Sequence, residues 1–299
     1  MAKYIFVTGG VMSSLGKGII SSSIGLILKS MGYKVSMLKF DPYLNVDAGS
    51  MNPYQHGEVF VTKDGGEVDL DIGHYERFLS EDLSKANNTT SGSIYKTIIE
   101  KERKGEYLGQ TIQVVPHLTD EIISRIKELL KKDNSEIIVV EIGGTVGDIE
   151  SLPFLEAASE LKNQEKEVFF FHVTYVPYLD ITEELKTKPT QHSVKELRSI
   201  GIYPDVLFLR GKKEIKESEK DKLFRYLGIP KERIISVIDL NSHYFVPELL
   251  LNSKIKEILE ELFNEKRDID ISSWKNFTSK LNKSEKVKKI GILGKYIEL

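Results

Sequence analysis

The feature that most constrains the fold is a glycine-rich segment between an apolar strand pattern and a helical one. The strand pattern covers residues 4–7, and the glycine-rich residues 8–18 lead directly into a helical pattern. Such a turn points backbone N–H groups and the positive end of a helix at a phosphate, and Lys17 adds a positive charge. The alternative is a turn in which glycine serves backbone geometry alone. The order of strand, turn, lysine and helix favours phosphate binding.

The turn departs from the common phosphate-binding pattern in two ways. Five residues, rather than four, separate Gly10 from Gly16, and Gly18 stands where the pattern usually carries Ser or Thr. That hydroxyl normally contacts Mg²⁺. The sequence therefore predicts that side chains from elsewhere hold the metal.

Apolar segments rich in β-branched and aromatic residues alternate with helical patterns. The predicted strands cover residues 4–7, 35–40, 137–140, 168–173, 206–209 and 234–238, and the predicted helices cover residues 17–31, 119–132 and 190–200. This alternation predicts an α/β fold with a doubly wound, mainly parallel sheet, and the glycine-rich turn makes it P-loop NTPase-like. Ligands of such sheets bind beyond the carboxyl ends of the strands.

Two regions interrupt the alternation. Residues 42–73 are rich in Asn, Asp, Gly and Pro, with a short strand pattern at residues 58–62, and a connection of this length is usually functional. After a helical pattern over residues 246–263 the chain becomes highly charged. We predict a first domain over residues 1–266, a linker over residues 267–289 with one small helix near Trp274, and the opening strand of a second domain over residues 290–299.

Composition excludes several classes of protein. The 299 residues contain no cysteine, which excludes a disulfide framework, a thiolate metal site and a cysteine nucleophile. A net charge of −3 argues against a dedicated nucleic-acid binder. No apolar run approaches the roughly 18 residues of a membrane span, and the first strand pattern is too short for a secretory signal. We expect a cytoplasmic protein with no nucleic-acid or membrane partner.

Acidic residues near strand ends are candidate Mg²⁺ ligands. Glu141 directly follows a predicted strand, which places it at the carboxyl edge of the sheet beside the turn. Glu67, Asp69 and Asp71 alternate, so they share one side of an extended segment. Each set alone is typical of a solvated surface. Beside a turn that lacks its own hydroxyl ligand, both become metal candidates.

Basic residues mark two anion sites. Lys39 ends the second predicted strand and reaches the same sheet edge as Lys17, where two cations would offset charge during phosphoryl transfer. The alternative is a surface ion pair between Lys39 and Asp41. Residues 186–193 precede a helix and contain two lysines, which indicates a second and weaker anion site. Two such sites suggest two nucleotides.

Several longer motifs together closely resemble the CTP synthase family. They lie at residues 4–10, 13–18, 39–43, 55–61, 71–78, 141–150 and 186–196. The resemblance covers essentially the whole chain. It implies an N-terminal amidoligase domain, a linker and the first strand of a glutaminase domain whose Cys, His and Glu set lies outside this sequence.

The resemblance also implies an activity, the ATP-dependent amination of UTP to CTP. With ATP as co-substrate and Mg²⁺ as cofactor, the uracil 4-oxygen is phosphorylated, and ammonia then attacks carbon 4 and displaces phosphate. In the intact family glutamine supplies the ammonia through an internal channel, and GTP stimulates that supply. Product CTP inhibits by feedback. Because family members are tetramers with pyrimidine sites at subunit contacts, we expect a homodimer or homotetramer.

By the same resemblance, roles can be assigned residue by residue. Lys17 and Lys39 would be catalytic, and Asp71 and Glu141 would hold magnesium. The ATP site would comprise Ser14, Leu15, Gly16, Lys17, Gly18, Ile19, Asp71, Asp239 and Leu240. The UTP and CTP site would comprise Ser13, Asp148, Ile149, Glu150, Lys186, Thr187, Lys188, Pro189, Thr190, Gln191 and Lys222. The ammonia entrance would comprise Pro53, His56 and Val59.

Two other classes share parts of this pattern. Dethiobiotin synthetase has the same extra residue in its phosphate turn, and such an enzyme would activate a carboxylate or carbamate. A nucleotide switch of the partition ATPase type would dimerise on ATP. The second lysine-rich site favours a nucleotide substrate over the first alternative. The basic contact surface expected for the second is not evident in the sequence.

Overall fold

The fold is built on a seven-stranded parallel sheet. The computed structural model describes residues 2–57, 59–281 and 289–294. Its strands are β1 (Lys3–Gly9), β2 (Val35–Asp41), β3 (Val59–Val61), β4 (Glu67–Asp69), β5 (Asn88–Thr90), β6 (Ile137–Ile142), β7 (Val168–Tyr175), β8 (Tyr178–Leu179), β9 (Glu184–Leu185), β10 (Val206–Gly211) and β11 (Ile234–Ile238). The large sheet has the order β11-β10-β7-β1-β6-β2-β5, while β3–β4 and β8–β9 form antiparallel ribbons.

Helices cover both faces of the sheet. They are α1 (Lys17–Ser30), α2 (Pro53–His56), α3 (Leu70–Leu79), α4 (Ser91–Arg103), α5 (Thr119–Lys132), α6 (Leu152–Gln164), α7 (Lys188–Ser199), α8 (Glu217–Leu227), α9 (Val246–Asn252), α10 (Ile255–Phe263) and α11 (Ser272–Leu281). Strand β1 shows the two faces. Ile5 and Val7 pack in one core with α1 and α3, and Tyr4 and Phe6 pack in the other with α5 and α6. The predicted doubly wound α/β fold is confirmed.

All six predicted strands are present, and the predicted helices appear as α1, α5 and α7. Helix α7 begins two residues earlier than predicted, because Pro189 fits the first helical turn, where its missing N–H costs nothing. The sequence did not identify β5, a three-residue strand at the sheet edge.

The long segment 42–73 has its own structure. It contains α2, the β3–β4 ribbon and the first turn of α3. The prediction that Glu67, Asp69 and Asp71 share one extended segment is wrong. The strand ends at Asp69, whose carboxylate caps α3 by accepting a 2.9 Å hydrogen bond from the N–H of Asp71. Aspartate is a favoured N-cap because it satisfies such an N–H group.

The C-terminal part differs from the predicted continuous helix. Residues 246–263 form two helices, α9 and α10, because Lys254 adopts a left-handed backbone with φ of 63°. The small helix predicted near Trp274 is α11, and it packs on the first domain through a 3.0 Å hydrogen bond from Trp274 Nε1 to the carbonyl of Tyr244. Residues 289–294 form no strand, and residues 295–299 lie outside the described residues, so the opening strand stays a prediction.

Within the described ranges, the structure has no helix with the length and apolar character needed to cross a membrane.

Candidate active site

The candidate site lies at the carboxyl ends of β1, β2 and β6, on the edge where doubly wound sheets bind ligands. A cavity of about 1130 Å³ opens there. Its lining includes many of the residues singled out in the sequence, namely Ser13, Ser14, Leu15, Gly16, Lys17, Gly18, Ile19, Lys39, Asp71, Glu141, Asp148 and Glu150. The fold therefore brings the glycine-rich turn, both lysines and both metal candidates to one place.

The glycine-rich turn is shaped around Lys17. Its side chain is 8% exposed, and Nζ donates a 2.8 Å hydrogen bond to the carbonyl of Gly144. A Cβ at Gly9 would lie 2.6 Å from the Lys17 side chain, so glycine leaves the space through which the lysine folds back over the turn. Burial, which outweighs the attraction of Glu141, lowers the pKa of Lys17. A bound anion in the cavity would pair with the Lys17 ammonium and favour its charged form.

Gly18 has a physical reason to replace the usual hydroxyl residue. A Cβ at this position would overlap the carboxylate of Asp71. Asp71, in the first turn of α3, therefore lies against the turn where a Ser or Thr side chain would otherwise be. An acidic oxygen takes the place of the hydroxyl oxygen. The sequence predicted that side chains from elsewhere hold the metal, and Asp71 is the candidate ligand that lies at this position.

Lys39 lies at the centre of a buried cluster of carboxylates. Its side chain is 6% exposed, and its Nζ contacts Asp71 and lies 3.4 Å from carboxylate oxygens of both Asp69 and Glu141. Asp41 lies 3.6 Å away. The surface pair with Asp41 alone, the alternative interpretation, is wrong because the lysine is buried and shared by four acids.

The acidic groups of this cluster outnumber the basic ones, and burial shifts their pKa values in different directions. Burial opposes the charged form of Lys39, but the surrounding carboxylates, led by Asp71 and Glu141, hold its pKa well above the usual value. Burial raises the pKa of Glu141 and that of Asp41, the latter to about 7. Burial alone would raise the pKa of Asp71, but the charge and hydrogen bond of Lys39, together with His74 and Lys17, lower it. Four carboxylates against Lys39 and nearby Lys17 leave an excess of negative charge.

A hydrogen bond from Tyr75 fixes the position of the Glu141 side chain. It is 1% exposed, and the fully buried Tyr75 donates a hydrogen bond from its hydroxyl to Oε2 of Glu141. Tyr75 lies one turn after Asp71 on α3, so one helix positions both metal candidates. Within residues 2–57, 59–281 and 289–294, no three His, Cys, Asp or Glu side chains form a group suited to hold a metal ion. A metal here would depend on two carboxylates together with oxygens from a ligand.

The predicted pyrimidine site is divided in the single chain. Ser13, Asp148 and Glu150 line the cavity, whereas Ile149 is 84% exposed outside it. The lining does not include the stretch from Lys186 to Gln191, or Lys222. Lys186 forms an ion pair with Glu184.

A second cavity, of about 130 Å³, adjoins the turn on its other side. Leu240 lines it together with Ser14, Gly16 and Ile19, but Asp239 does not. Asp239 instead pairs with Arg210 at 2.8 Å, and Arg210 does line this cavity. Arg210 was not predicted as a site residue, although it directly follows the apolar residues of β10, the same signal that marked Glu141.

The predicted ammonia entrance lies at α2 and β3. Pro53 begins α2, and Val59 pairs with Asp69 in the β3–β4 ribbon. His56 ends α2, and its side chain lies outside what the structure describes. Gln55 and Gly57 from the same segment line the large cavity, as do Tyr43 and His74, none of which had been assigned a role.

The parallel sheet, the glycine-rich turn and the acid–lysine cluster at its edge define a P-loop-type α/β protein. Comparison with known proteins gives the particular family. A family described as CTP synthase N-terminus matches residues 3–264. The chain belongs to this family, as its motifs predicted.

Individual relatives agree. The chain is 54% identical to CTP synthase from Pyrococcus furiosus and 53% identical to that from Aquifex aeolicus, in both cases over 100% of this chain and 56% of the relative. It thus spans about half the length of the curated relatives it matches. A chain of the MinC:MinD cell division protein complex from Aquifex aeolicus covers 90% of this chain and aligns over 99% of its own length, with 11% identity and a TM-score of 0.43, too low to support an argument.

Proposed function

We propose that this chain aminates UTP to CTP at the expense of ATP, as the amidoligase half of a CTP synthase. The observation that carries the proposal is the Asp71 carboxylate packed against Gly18 of the turn, in one cavity with Lys17, Lys39 and Glu141. A turn of this kind binds a triphosphate, and the cluster supplies the charges for phosphoryl transfer. Relatives named CTP synthase support the choice of UTP as the second substrate.

The residues present fit Mg²⁺ as the cofactor. Asp71 and Glu141 offer carboxylate oxygens, and Mg²⁺ is commonly bound by one or two carboxylates together with substrate phosphates. The excess of negative charge around Lys39 favours a further cation. When bound, the ion would neutralise charge on the triphosphate of ATP.

The chain's own residues divide the remaining work. Lys17 binds the ATP phosphates, and Lys39 stays protonated and stabilises the charge of the transferred phosphoryl group. That group moves from ATP to the uracil 4-oxygen, ADP is left, and N3 of the uracil loses its proton to solvent. Ammonia nitrogen then bonds to carbon 4, phosphate leaves with the 4-oxygen, and the nitrogen loses its extra proton. Tyr43, Leu44 and Gln55 line the same cavity, and with the rest of segment 42–73 they would limit the access of bulk water to the intermediate.

The other predicted roles remain part of this proposal. In this proposal Leu240 and neighbouring Asp239 contact the adenine, and Pro53, His56 and Val59 form the ammonia entrance. The stretch from Lys186 to Gln191 and Lys222 binds the pyrimidine nucleotide, with CTP as feedback inhibitor. Since these residues lie outside the cavity of a single chain, a homodimer or homotetramer would complete the site. Residues 1–266 form the catalytic domain, residues 267–289 the linker, and the enzyme acts in the cytoplasm.

Product-resolved assays test the proposal. ADP release is measured with ATP, Mg²⁺ and an ammonium salt, with UTP present or omitted, and CTP is quantified by chromatography. We expect UTP to increase ADP release and CTP to form in equal amount. Lys17→Ala abolishes both, because the phosphate charge is then unmet. Equal ADP release with and without UTP contradicts the proposal and favours a nucleotide switch of the partition ATPase type.

A further inference from the structure

A buried chain of polar side chains links β1, β7 and α7 beneath the glycine-rich turn. Thr8 Oγ1 lies 2.8 Å from Nδ1 of His172, and Nε2 of the same ring lies 2.8 Å from Ser193 Oγ. Thr8 and His172 are fully buried, and Ser193 is 5% exposed. None of the three is among the residues assigned above to ATP, UTP, magnesium or ammonia.

Two polar positions of β7, His172 and Thr174, both contact α7. His172 and Thr174 are two residues apart in an otherwise apolar strand, so their side chains share one face. His172 meets Ser193, and Thr174 Oγ1 lies 2.9 Å from Thr190 Oγ1, one helical turn earlier. Apolar side chains would fill this face without the cost of burying polar atoms. A fully paired polar network instead fixes one position of the helix on the sheet.

The same network touches the turn. A Cβ at Gly10 would overlap Ser193 Oγ and would lie 3.2 Å from Cε1 of His172. Gly10 also donates a 3.0 Å hydrogen bond from its N–H to the carbonyl of Val173. Glycine is therefore needed where the turn passes over the hydroxyl of α7.

The imidazole is a neutral connector. Burial, aided by the positive charge of Lys17, lowers the pKa of His172 to about 3, so one ring nitrogen donates and the other accepts. Thr8 Oγ1 also lies 3.5 Å from the carbonyl of Phe171, to which its hydroxyl can donate. Nδ1–H then donates to Thr8 Oγ1, and Nε2 accepts from the Ser193 hydroxyl. Each polar atom of the chain has a partner in this arrangement.

We propose that His172 is a positioning residue that, through Thr8 and Ser193, sets the spacing between the glycine-rich turn and the start of α7. This spacing separates the ATP phosphates from the lysine-rich stretch before and within the first turn of α7. The inference rests on the proposed function, because the spacing matters to the reaction only where that stretch binds the pyrimidine nucleotide.

The test uses two matched pairs of variants of the full chain. Thr8→Val removes the hydroxyl and keeps the shape, whereas Thr8→Ser keeps the hydroxyl and removes the methyl group. Ser193→Ala breaks the second link. Its control is Ser21→Ala in α1, since Ser21 is also fully buried but its Oγ has no hydrogen-bond partner among the described residues. Titration calorimetry measures UTP affinity with Mg²⁺ and a non-hydrolysable ATP analogue bound, and the affinity of the analogue alone. Thermal unfolding is recorded in parallel.

We expect Thr8→Val and Ser193→Ala to weaken UTP binding about 3- to 10-fold, the loss of about one hydrogen bond. Affinity for the analogue alone should change less than about twofold, a split that a general loss of stability does not produce. Thr8→Ser and Ser21→Ala should bind UTP as the unmodified chain does.

Three results overturn the inference alone. They are unchanged UTP affinity in both hydroxyl-deletion variants, equal losses for UTP and the analogue that follow the thermal midpoint, and a Thr8→Ser defect as large as that of Thr8→Val. If the unmodified chain binds the analogue but not UTP, the proposed function fails and the inference fails with it. UTP binding to the unmodified chain therefore distinguishes failure of the proposed function from failure of the inference alone.

Discussion

The two lysine sites of this chain differ sharply in how they are built. Lys39 is 6% exposed and lies among four carboxylates from β2, the β4–α3 junction and β6. Lys186, ahead of α7, is 44% exposed, and among the described residues it forms one ion pair, with Glu184 two residues away. All four acids at Lys39 come from this chain, and Lys39 lines the large cavity. Lys186 is far more exposed and does not line that cavity.

This difference has energetic consequences. Breaking a buried charge network leaves the remaining charges without partners, which typically costs several kcal/mol. An exposed pair is worth less than about 1 kcal/mol, because water and salt already solvate both ions. The Lys39 cluster should therefore matter to stability as well as chemistry, and Lys186 to ligand binding only.

Lys39→Met provides the largest test of the comparison. The methionine keeps much of the volume and removes the charge, so the four acids lose their shared partner. We expect a loss of about 3–5 kcal/mol in the free energy of unfolding, measured by urea denaturation, together with loss of CTP formation. The matched variant Lys186→Met should change the free energy of unfolding by less than about 0.5 kcal/mol. Equal free energies of unfolding for the two variants would contradict the claim that the Lys39 cluster contributes to stability and the Lys186 ion pair does not.

Much of the Lys39 site could be predicted from the sequence. Glu141 and Lys39 each end an apolar strand, and parallel strands bring their carboxyl ends to one edge, so their meeting follows from local pattern and topology. The departure at Gly18 likewise indicated an external ligand. The helical position of Asp71 could not be predicted in this way, since alternation in a short polar segment fits a strand and a capped helix start equally well.

The buried polar network of Thr8, His172 and Ser193 could not be predicted from local sequence pattern. His172 was one histidine in an apolar strand, and Ser193 one hydroxyl in a helix, 21 positions further along the chain. Their meeting depends on how α7 lies across β7, which no local spacing encodes. Local pattern likewise did not show that Lys186, which directly follows the β8–β9 ribbon, is absent from the cavity lining. Arg210, by contrast, carried a usable signal at the end of β10.

Asp41→Asn tests whether Asp41 is protonated in the folded cluster around Lys39. Burial raises the pKa of Asp41 to about 7, above the unfolded value near 4, so the folded protein binds this proton more tightly. That contribution to stability is complete below about pH 4 and is lost as the pH rises through 7. The asparagine stays neutral and keeps hydrogen-bonding atoms for Asn88 and Tyr43.

Relative to the unmodified chain, Asp41→Asn should gain about 2–3 kcal/mol in the free energy of unfolding between pH 5 and pH 8. Urea denaturation at several pH values measures this difference. Parallel stability profiles for the two proteins would mean that Asp41 is already ionised at pH 5, and that the cluster does not lack positive charge.

Gly18→Ala tests the link between the turn and the cluster. The new Cβ would overlap the Asp71 carboxylate and push it from the turn. We expect the Mg²⁺ concentration for half-maximal ATP-analogue binding, followed by calorimetry, to rise about 10-fold or more. Gly25→Ala is the control in the same helix, where the Cβ would crowd the buried side chains of Met37 and Leu79 and not Asp71. If this Mg²⁺ concentration changed equally in both variants, Asp71 would not be a metal ligand.

Lys186→Met gives the smallest expected effect and addresses the outward-facing site directly. If the stretch ahead of α7 binds the pyrimidine triphosphate, the UTP concentration for half-maximal CTP formation should rise about 3- to 10-fold, while the ATP requirement stays within about twofold. The loss is modest because Lys186 is one of several cations there and is partly solvated. Repeating the titration across protein concentration shows whether a second copy completes the site, since association would then lower the UTP requirement of the unmodified chain. A larger change in the ATP requirement than in the UTP requirement would exchange the two sites, placing ATP at α7 and the pyrimidine nucleotide at the buried cluster.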